Sequence, residues 1–230
     1  MIRTGSTPII DIRRGATPLS QVRVGSTLVW SRSSVRDDFE RDDSVGLGPN
    51  WTSHGPSATP YLASVLNGYA RMNVPDGLVN LSLQTNRQRF NAGVVAGDNG
   101  YIEARIANLG DAGWSRISQL FGRLSNAAFT HGVGFQLSDG RLHIVRRVAD
   151  TDTIMASGSG YAAGDVIRLA YAGNVYSLYR NGSYVFGWTD SGNSASVGSA
   201  FRSLGLVVSA TKDTFGPRRY SPAFDYVEAA

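Results

Sequence analysis

The chain has 230 residues, with 27 glycines, 8 prolines, no cysteine and a formal charge of +4. That length allows one substantial core besides a small appended segment. The missing cysteine excludes disulfides and thiolate metal sites, and no apolar run approaches the roughly 20 residues of a membrane span. Abundant glycine, few charges, scattered aromatics and no run at helical period predict an all-β chain with many tight turns.

The first predicted element is a ten-residue repeat written three times, opening on Ile2-Arg3, Ile12-Arg13 and Val22-Arg23. Each copy continues through Gly5, Gly15 or Gly25 and Thr7, Thr17 or Thr27 to an apolar Ile9, Leu19 or Val29. Strand, glycine turn, strand is the expected form of each copy. Three such units cannot bury a core alone, so residues 1–33 are expected to dock or oligomerise through Ile2, Arg3, Ile12, Arg13, Val22, Arg23 and Trp30. Stacked as rungs, the arginines would lie about 4.8 Å apart and repel. Either acids from another chain interleave or the copies wrap an axis; a structured leader is the plainer alternative. Residues 1–36 hold six arginines and one acid, Asp11, so the whole basic excess lies here. An acidic protein surface suits such an arm better than nucleic acid, because no aromatic and basic interleaving accompanies it.

A polar linker, Ser31 to Arg36, leads into a second unit spanning 34–230. It opens with Asp37-Asp38-Phe39 and a Gly/Pro-punctuated loop that buries Trp51. Strands are predicted at 69–73, 79–84, 101–107, 115–124, 132–137, 141–148, 165–172, 175–180, 183–188, 204–210 and 223–228. Asp139-Gly140 and Asn181-Gly182 fit two-residue hairpin turns, and Gly173-Asn174 serves similarly. Val133, Phe135 and Leu137 alternate with Gly134, Gln136 and Ser138. Leu142 and Ile144 oppose His143 and Arg147, and Ile167, Leu169 and Tyr171 oppose Arg168, so each strand has a core side and a polar side.

Asp37-Asp38-Phe39-Glu40-Arg41-Asp42-Asp43-Ser44, Leu47-Gly48-Pro49-Asn50-Trp51, Gly164-Asp165-Val166-Ile167-Arg168-Leu169, Gly173-Asn174, Leu178-Tyr179-Arg180-Asn181-Gly182 and Trp188-Thr189-Asp190-Ser191 together resemble the concanavalin A-like lectin/glucanase jelly roll, in its laminin-G-like form. The resemblance covers residues 36–230 and implies that the first and last strands pair, Asp37–Phe39 with Phe224–Tyr226. The decad repeat ahead of such a domain is similar to minor tail proteins of phages infecting actinobacteria. Glucanases of this fold carry two glutamates on one strand, whereas the three glutamates here, Glu40, Glu103 and Glu228, are far apart in sequence. Asp150 and Asp152 read as a solvated turn, and the three histidines match no nucleophile motif, so no enzyme is expected. Asp37, Asp38, Asp42 and Asp43 read as solvated or turn-capping carboxylates rather than a calcium site, and no cofactor is implied.

Glycan binding stays open. Gln136, His143, Arg147, Arg168 and Tyr179 are expected to share the polar face of one sheet, with Trp114 at its rim; the alternative is an ordinary solvated face. The resemblance implies a structural virion protein, a phage minor tail protein docked through its repeat to other tail proteins. It would be a homo-oligomer, with a trimer suited to a tail, and extracellular once released. A glycan-binding adhesion module for the host surface and a capsid decoration protein are the alternatives. No membrane partner is expected.

Overall fold

The computed structural model describes residues 3–4, 7–8, 13–14, 17–18, 21–24, 27–31, 34–76, 81–111 and 116–230. Before residue 34 the description is of strand pairing. Three hairpins come first: β1 (Arg3–Thr4) with β2 (Thr7–Pro8), β3 (Arg13–Arg14) with β4 (Thr17–Pro18), and β5 (Gln21–Val24) with β6 (Thr27–Ser31). In each decad the strand before the glycine pairs antiparallel with the strand after it. Among the described residues each hairpin is its own two-stranded sheet, so the copies do not join as rungs of one ladder.

The remaining strands build two antiparallel sheets. They are β7 (Val35–Asp37), β8 (Trp51–Pro56), β9 (Ala63–Leu66), β10 (Tyr69–Met72), β11 (Leu81–Phe90), β12 (Gly100–Asn108), β13 (Ser118–Leu124), β14 (Gly132–Ser138), β15 (Arg141–Val148), β16 (Thr151–Ser157), β17 (Val166–Ala172), β18 (Val175–Arg180), β19 (Ser183–Thr189), β20 (Ser203–Lys212), β21 (Arg218–Tyr220) and β22 (Ala223–Ala229). The first sheet runs β19-β18-β17-β12-β22-β10-β9, with β7 also on β22; the second runs β16-β15-β14-β13-β20-β11-β8, with β21 on β20. Among the described residues no helix is long and apolar enough to cross a membrane.

The core lies between the sheets because the alternation in each strand sends its apolar set inward. Ile102, Ala104 and Ile106 of β12, and Ile167, Leu169 and Tyr171 of β17, meet Leu120 of β13, Val133, Phe135 and Leu137 of β14, and Leu204, Leu206 and Val208 of β20. Asp139 and Gly140, at φ 48° and 71°, and Asn181 and Gly182, at 51° and 79°, take the left-handed turns that a two-residue hairpin requires.

Several boundaries differ from those expected. The strands β8, β9, β16 and β21 join the list, and β11 continues through Asn86 and Gln88, polar residues buried by bonds to Ser53, Ser57 and Ala63. The first and last strands do pair, in another register: Val35, Arg36 and Asp37 lie opposite Ala229, Glu228 and Val227. Asp37 is not a solvated carboxylate. It is 9% exposed and accepts from Phe39 N–H, from the Trp51 indole at 2.7 Å, and from Arg41 through both oxygens. Burial pushes this carboxyl up, but the hydrogen bonds from Arg41, Trp51 and Phe39 outweigh that and hold it below its ordinary value.

Candidate functional site: two polar faces

The five polar residues expected on one face are divided between the sheets. Gln136, His143 and Arg147 lie on the outside of the second sheet, and Arg168 and Tyr179 on the outside of the first. A strand crossing explains the division. The chain leaves the second sheet after β16 and enters the first at β17, between Arg147 and Arg168. Trp114 lies outside the described residues, as do the side chains of Ile2, Arg3, Ile12, Arg13, Val22, Arg23 and Trp30.

On the second sheet the register brings Gln119, Gln136 and His143 into one cross-strand row. The Gln119 amide donates to Gln136 at 2.8 Å and to Asp152 at 3.1 Å, and Gln136 donates to Ser138 at 2.9 Å. His143 Nδ1 lies 2.7 Å from Ser157 Oγ. Arg147 donates to Asp152 at 2.7 Å, and Asp150 stands 3.7 Å away and also 3.8 Å from Arg87. The Arg147 guanidinium lies against the edge-on pair Phe121 and Phe129, 5.4 and 5.3 Å from their centroids. Phe121, Leu124, Phe129, Val145 and Val207 form a second apolar cluster on this face. Asp152 is thus not a free turn carboxylate but the counter-ion of a buried arginine.

Burial shapes the charges here. His143 is pushed below its ordinary value chiefly by burial, and His54, beside Phe129, by burial and then by Arg89. Gln119, Phe121, Val145, Arg147 and Val207 are all 2% exposed or less. The face is closed over by its own side chains.

The first sheet's outer face is built differently. Glu103 and Glu228, distant in sequence, are direct cross-strand partners, flanked by Arg168 opposite Glu103 and by Arg36 opposite Glu228. Glu103 accepts from Arg168 at 2.7 Å and from the Tyr226 hydroxyl at 2.7 Å. Glu228 accepts from Arg36 at 2.9 Å and from the Tyr101 hydroxyl at 3.0 Å. Arg36 lies 4.0 Å over the ring of Tyr226, and Arg168 lies 4.0 Å over that of Tyr101.

Six side chains therefore close a ring: Arg36, Glu228, Tyr101, Arg168, Glu103, Tyr226 and back to Arg36. Burial, followed by the adjoining glutamate, raises both phenols well above the ordinary tyrosine value, so they remain donors. The row continues to Tyr179 opposite Arg168 and to Tyr184 opposite Tyr179, their rings 5.9 Å apart and edge-on. Tyr184 is 61% exposed. Arg168 and Tyr179 were legible from alternation; Arg36, Tyr101, Glu103, Tyr184, Tyr226 and Glu228 were not, because only the strand order assembles them.

No three or more histidine, aspartate or glutamate side chains gather as a metal site among the described residues. Asp43, another of the four N-terminal aspartates, caps the Asn67 N–H.

The two antiparallel sheets form a jelly-roll sandwich, a fold that this chain shares with carbohydrate-recognition and glucanase domains. The carbohydrate recognition domain of Emp47p shares 12% identity at a TM-score of 0.54, covering 86% of this chain and 94% of that domain. SCLam, a non-specific endo-beta-1,3(4)-glucanase of family GH16, shares 11% at 0.50, with 91% and 93% covered. A LamA variant from Z. galactanivorans, solved with laminaritriose and laminaritetraose, shares 13% at 0.50, with 85% and 97% covered. Carbohydrate-recognition domains and glycoside hydrolases thus both occur among the similar structures, and identities this low define a common fold alone. The chain belongs to the family described as a domain of unknown function, DUF7257, matched over residues 19–223, a span that takes in the third decad. No curated protein sequence matches it.

Proposed function

We propose that this protein is a non-catalytic attachment component of a virion, a minor tail protein, that docks through its N-terminal hairpins and contacts a host-surface glycan with the outer face of the first sheet. The observation that carries the glycan half is the row Arg36, Glu228, Glu103, Arg168, Tyr179 and Tyr184. Exposed tyrosine and arginine side chains lie along one face over a buried pair of glutamates that orients them, and rings beside planar hydrogen-bond donors are the combination that recognises a sugar by its C–H surface and its hydroxyls. A face spanning several strands suits a chain of sugars.

Retaining hydrolysis needs an acid and a nucleophile about 5 Å apart and free to react. Glu103 and Glu228 are adjacent, yet each oxygen of both accepts from an arginine or a tyrosine. The row is therefore read as a binding surface. The basic hairpins supply the docking half: their arginines find acids on neighbouring tail proteins or on copies of this chain, a trimer being the arrangement that suits a tail.

Two experiments test the halves separately. Fluorescent full-length protein should decorate host cell walls, and Tyr184→Ala should reduce that binding about tenfold without unfolding the sandwich. Equal binding by the variant removes the first-sheet face from the proposal. Phage carrying a deletion of residues 1–33 should assemble particles that lack this protein, and particles with the normal copy number would sink the docking role.

A further inference from the structure

A separate concavity of about 530 Å³ shares no residue with the row of the first sheet. It is lined by Leu109, Gly110 and Asp111 after β12, by Asp139 and Gly140 in the β14–β15 turn, by Tyr161 in the link from β16 to β17, and by Tyr220 to Pro222 between β21 and β22, with Arg116 also contributing. The volume falls within the range of small-molecule sites.

Its walls are fixed. Asp111 N–H donates to the Tyr220 carbonyl at 2.9 Å, and Tyr220 N–H donates back to the Asp111 carboxylate at 2.6 Å. Arg116 Nε donates to the same Tyr220 carbonyl, and its NH2 to the Asp111 carbonyl. Gly110 sits at φ 66°, and a Cβ there would lie 2.3 Å from the Tyr220 oxygen, so this corner requires glycine. The Tyr220 ring is held under Arg71 at 4.6 Å. Across the cleft, the Tyr161 segment is pinned by Leu142 N–H to the Ser159 carbonyl and by Ala162 N–H to Asp165.

Asp111 is thus engaged in building the cleft, and Arg116 is bonded into the same corner. Asp139, exposed in its turn, and the half-buried Tyr161 are not: among the described residues, neither side chain has a hydrogen-bond or ion-pair partner. Burial and then Asp139 push the Tyr161 phenol up to about 12, which keeps it a donor. A molecule seated here meets one carboxylate and one phenol while lying against tyrosine and proline. An anion would meet Asp139, and a wholly apolar molecule would strip its water with nothing in return. A ring with an apolar C–H face and adjacent hydroxyls satisfies both demands.

We infer that this cleft is a second binding site, specific for a neutral sugar unit, with Tyr161 as platform and Asp139 accepting from a pair of hydroxyls. It shares with the first-sheet proposal only the class of ligand, and the two sites fail independently. Two sites on one sandwich would also raise avidity for a long polysaccharide.

The test is calorimetric titration of the full chain with laminaritriose and with neutral arabinan and galactan trisaccharides. At least one should bind, and Asp139→Asn should weaken it tenfold or more, with Tyr161→Phe weakening it several-fold and Tyr184→Ala leaving it unchanged. Asparagine takes a positive φ readily, so the turn survives the first substitution. Unchanged affinity in both Asp139→Asn and Tyr161→Phe overturns the cleft, as does failure of all three sugars to bind. Loss in Tyr184→Ala alone would leave the sheet row standing and remove the cleft; loss in the two cleft variants alone, with cell-wall binding also indifferent to Tyr184, would do the reverse.

Discussion

On the second sheet the outward-facing Arg147 is 2% exposed, whereas on the first the outward-facing Tyr184 is 61% exposed. Both faces alternate against the same core, and both are built from arginine, carboxylate and aromatic side chains. What differs is the covering. The β15–β16 turn brings Asp150 and Asp152 onto Arg147, and Phe129 closes over Phe121. On the first sheet the cover is partial: Glu228 is 3% exposed beneath Arg36 and Tyr101, while Arg168 and Tyr184 stand exposed at the surface. Polarity on a sheet face is therefore a poor guide to accessibility. On one face the polar groups are closed in with the fold, and on the other the glutamates are engaged while the arginine and tyrosine side chains above them stay partly exposed.

The largest effect that could break this contrast is Arg147→Met. It leaves Asp152, which also accepts from the buried Gln119, without its cation and should cost about 3 kcal/mol in urea denaturation, as removing one partner of a buried pair does. A cost below about 1 kcal/mol would mean the closed face is not structural. Next is pH. His54 and His143 are both held below 6.5, so the unfolded chain binds their protons first as pH falls. The stability from the neutral rings is full above 6.5 and declines below it. Melting temperature should fall from pH 7 to 5, and His143→Gln should flatten that slope; an unchanged slope would put the dependence elsewhere.

Effects on the open face should be smaller. Tyr184→Ala is expected to change stability by no more than about 0.5 kcal/mol, the ordinary range for an exposed site. Glu103→Gln weakens the pair with Arg168, in which the arginine side chain is 42% and the glutamate 12% exposed, keeps an acceptor for the Tyr226 hydroxyl, and should cost about 1 kcal/mol. A cost near that of Arg147→Met would make the six-membered ring a structural clamp rather than a surface.

The strands that alternation made legible were those with one wet side and a marked turn, such as β14 and β15 around Asp139-Gly140. The omitted strands lacked one or the other. β9 is four residues long, β8 ends in Gly55-Pro56, and the edge strand β16 carries Asp152 among exposed threonines, which reads as a loop until Arg147 is placed beneath it. Site residues were legible one strand at a time. His143 and Arg168 both face outward as expected, yet which sheet each joins depends on a crossing that no local pattern records. Likewise, Glu103 and Glu228 meet only because β12 and β22 are neighbours.

The self-contained hairpins of the first 31 residues have a consequence for how such an arm can vary in length. In a continuous ladder, inserting or removing a segment shifts the register of every strand beyond it. Here each ten-residue unit closes within itself, so a unit gained or lost leaves the pairing of the others untouched.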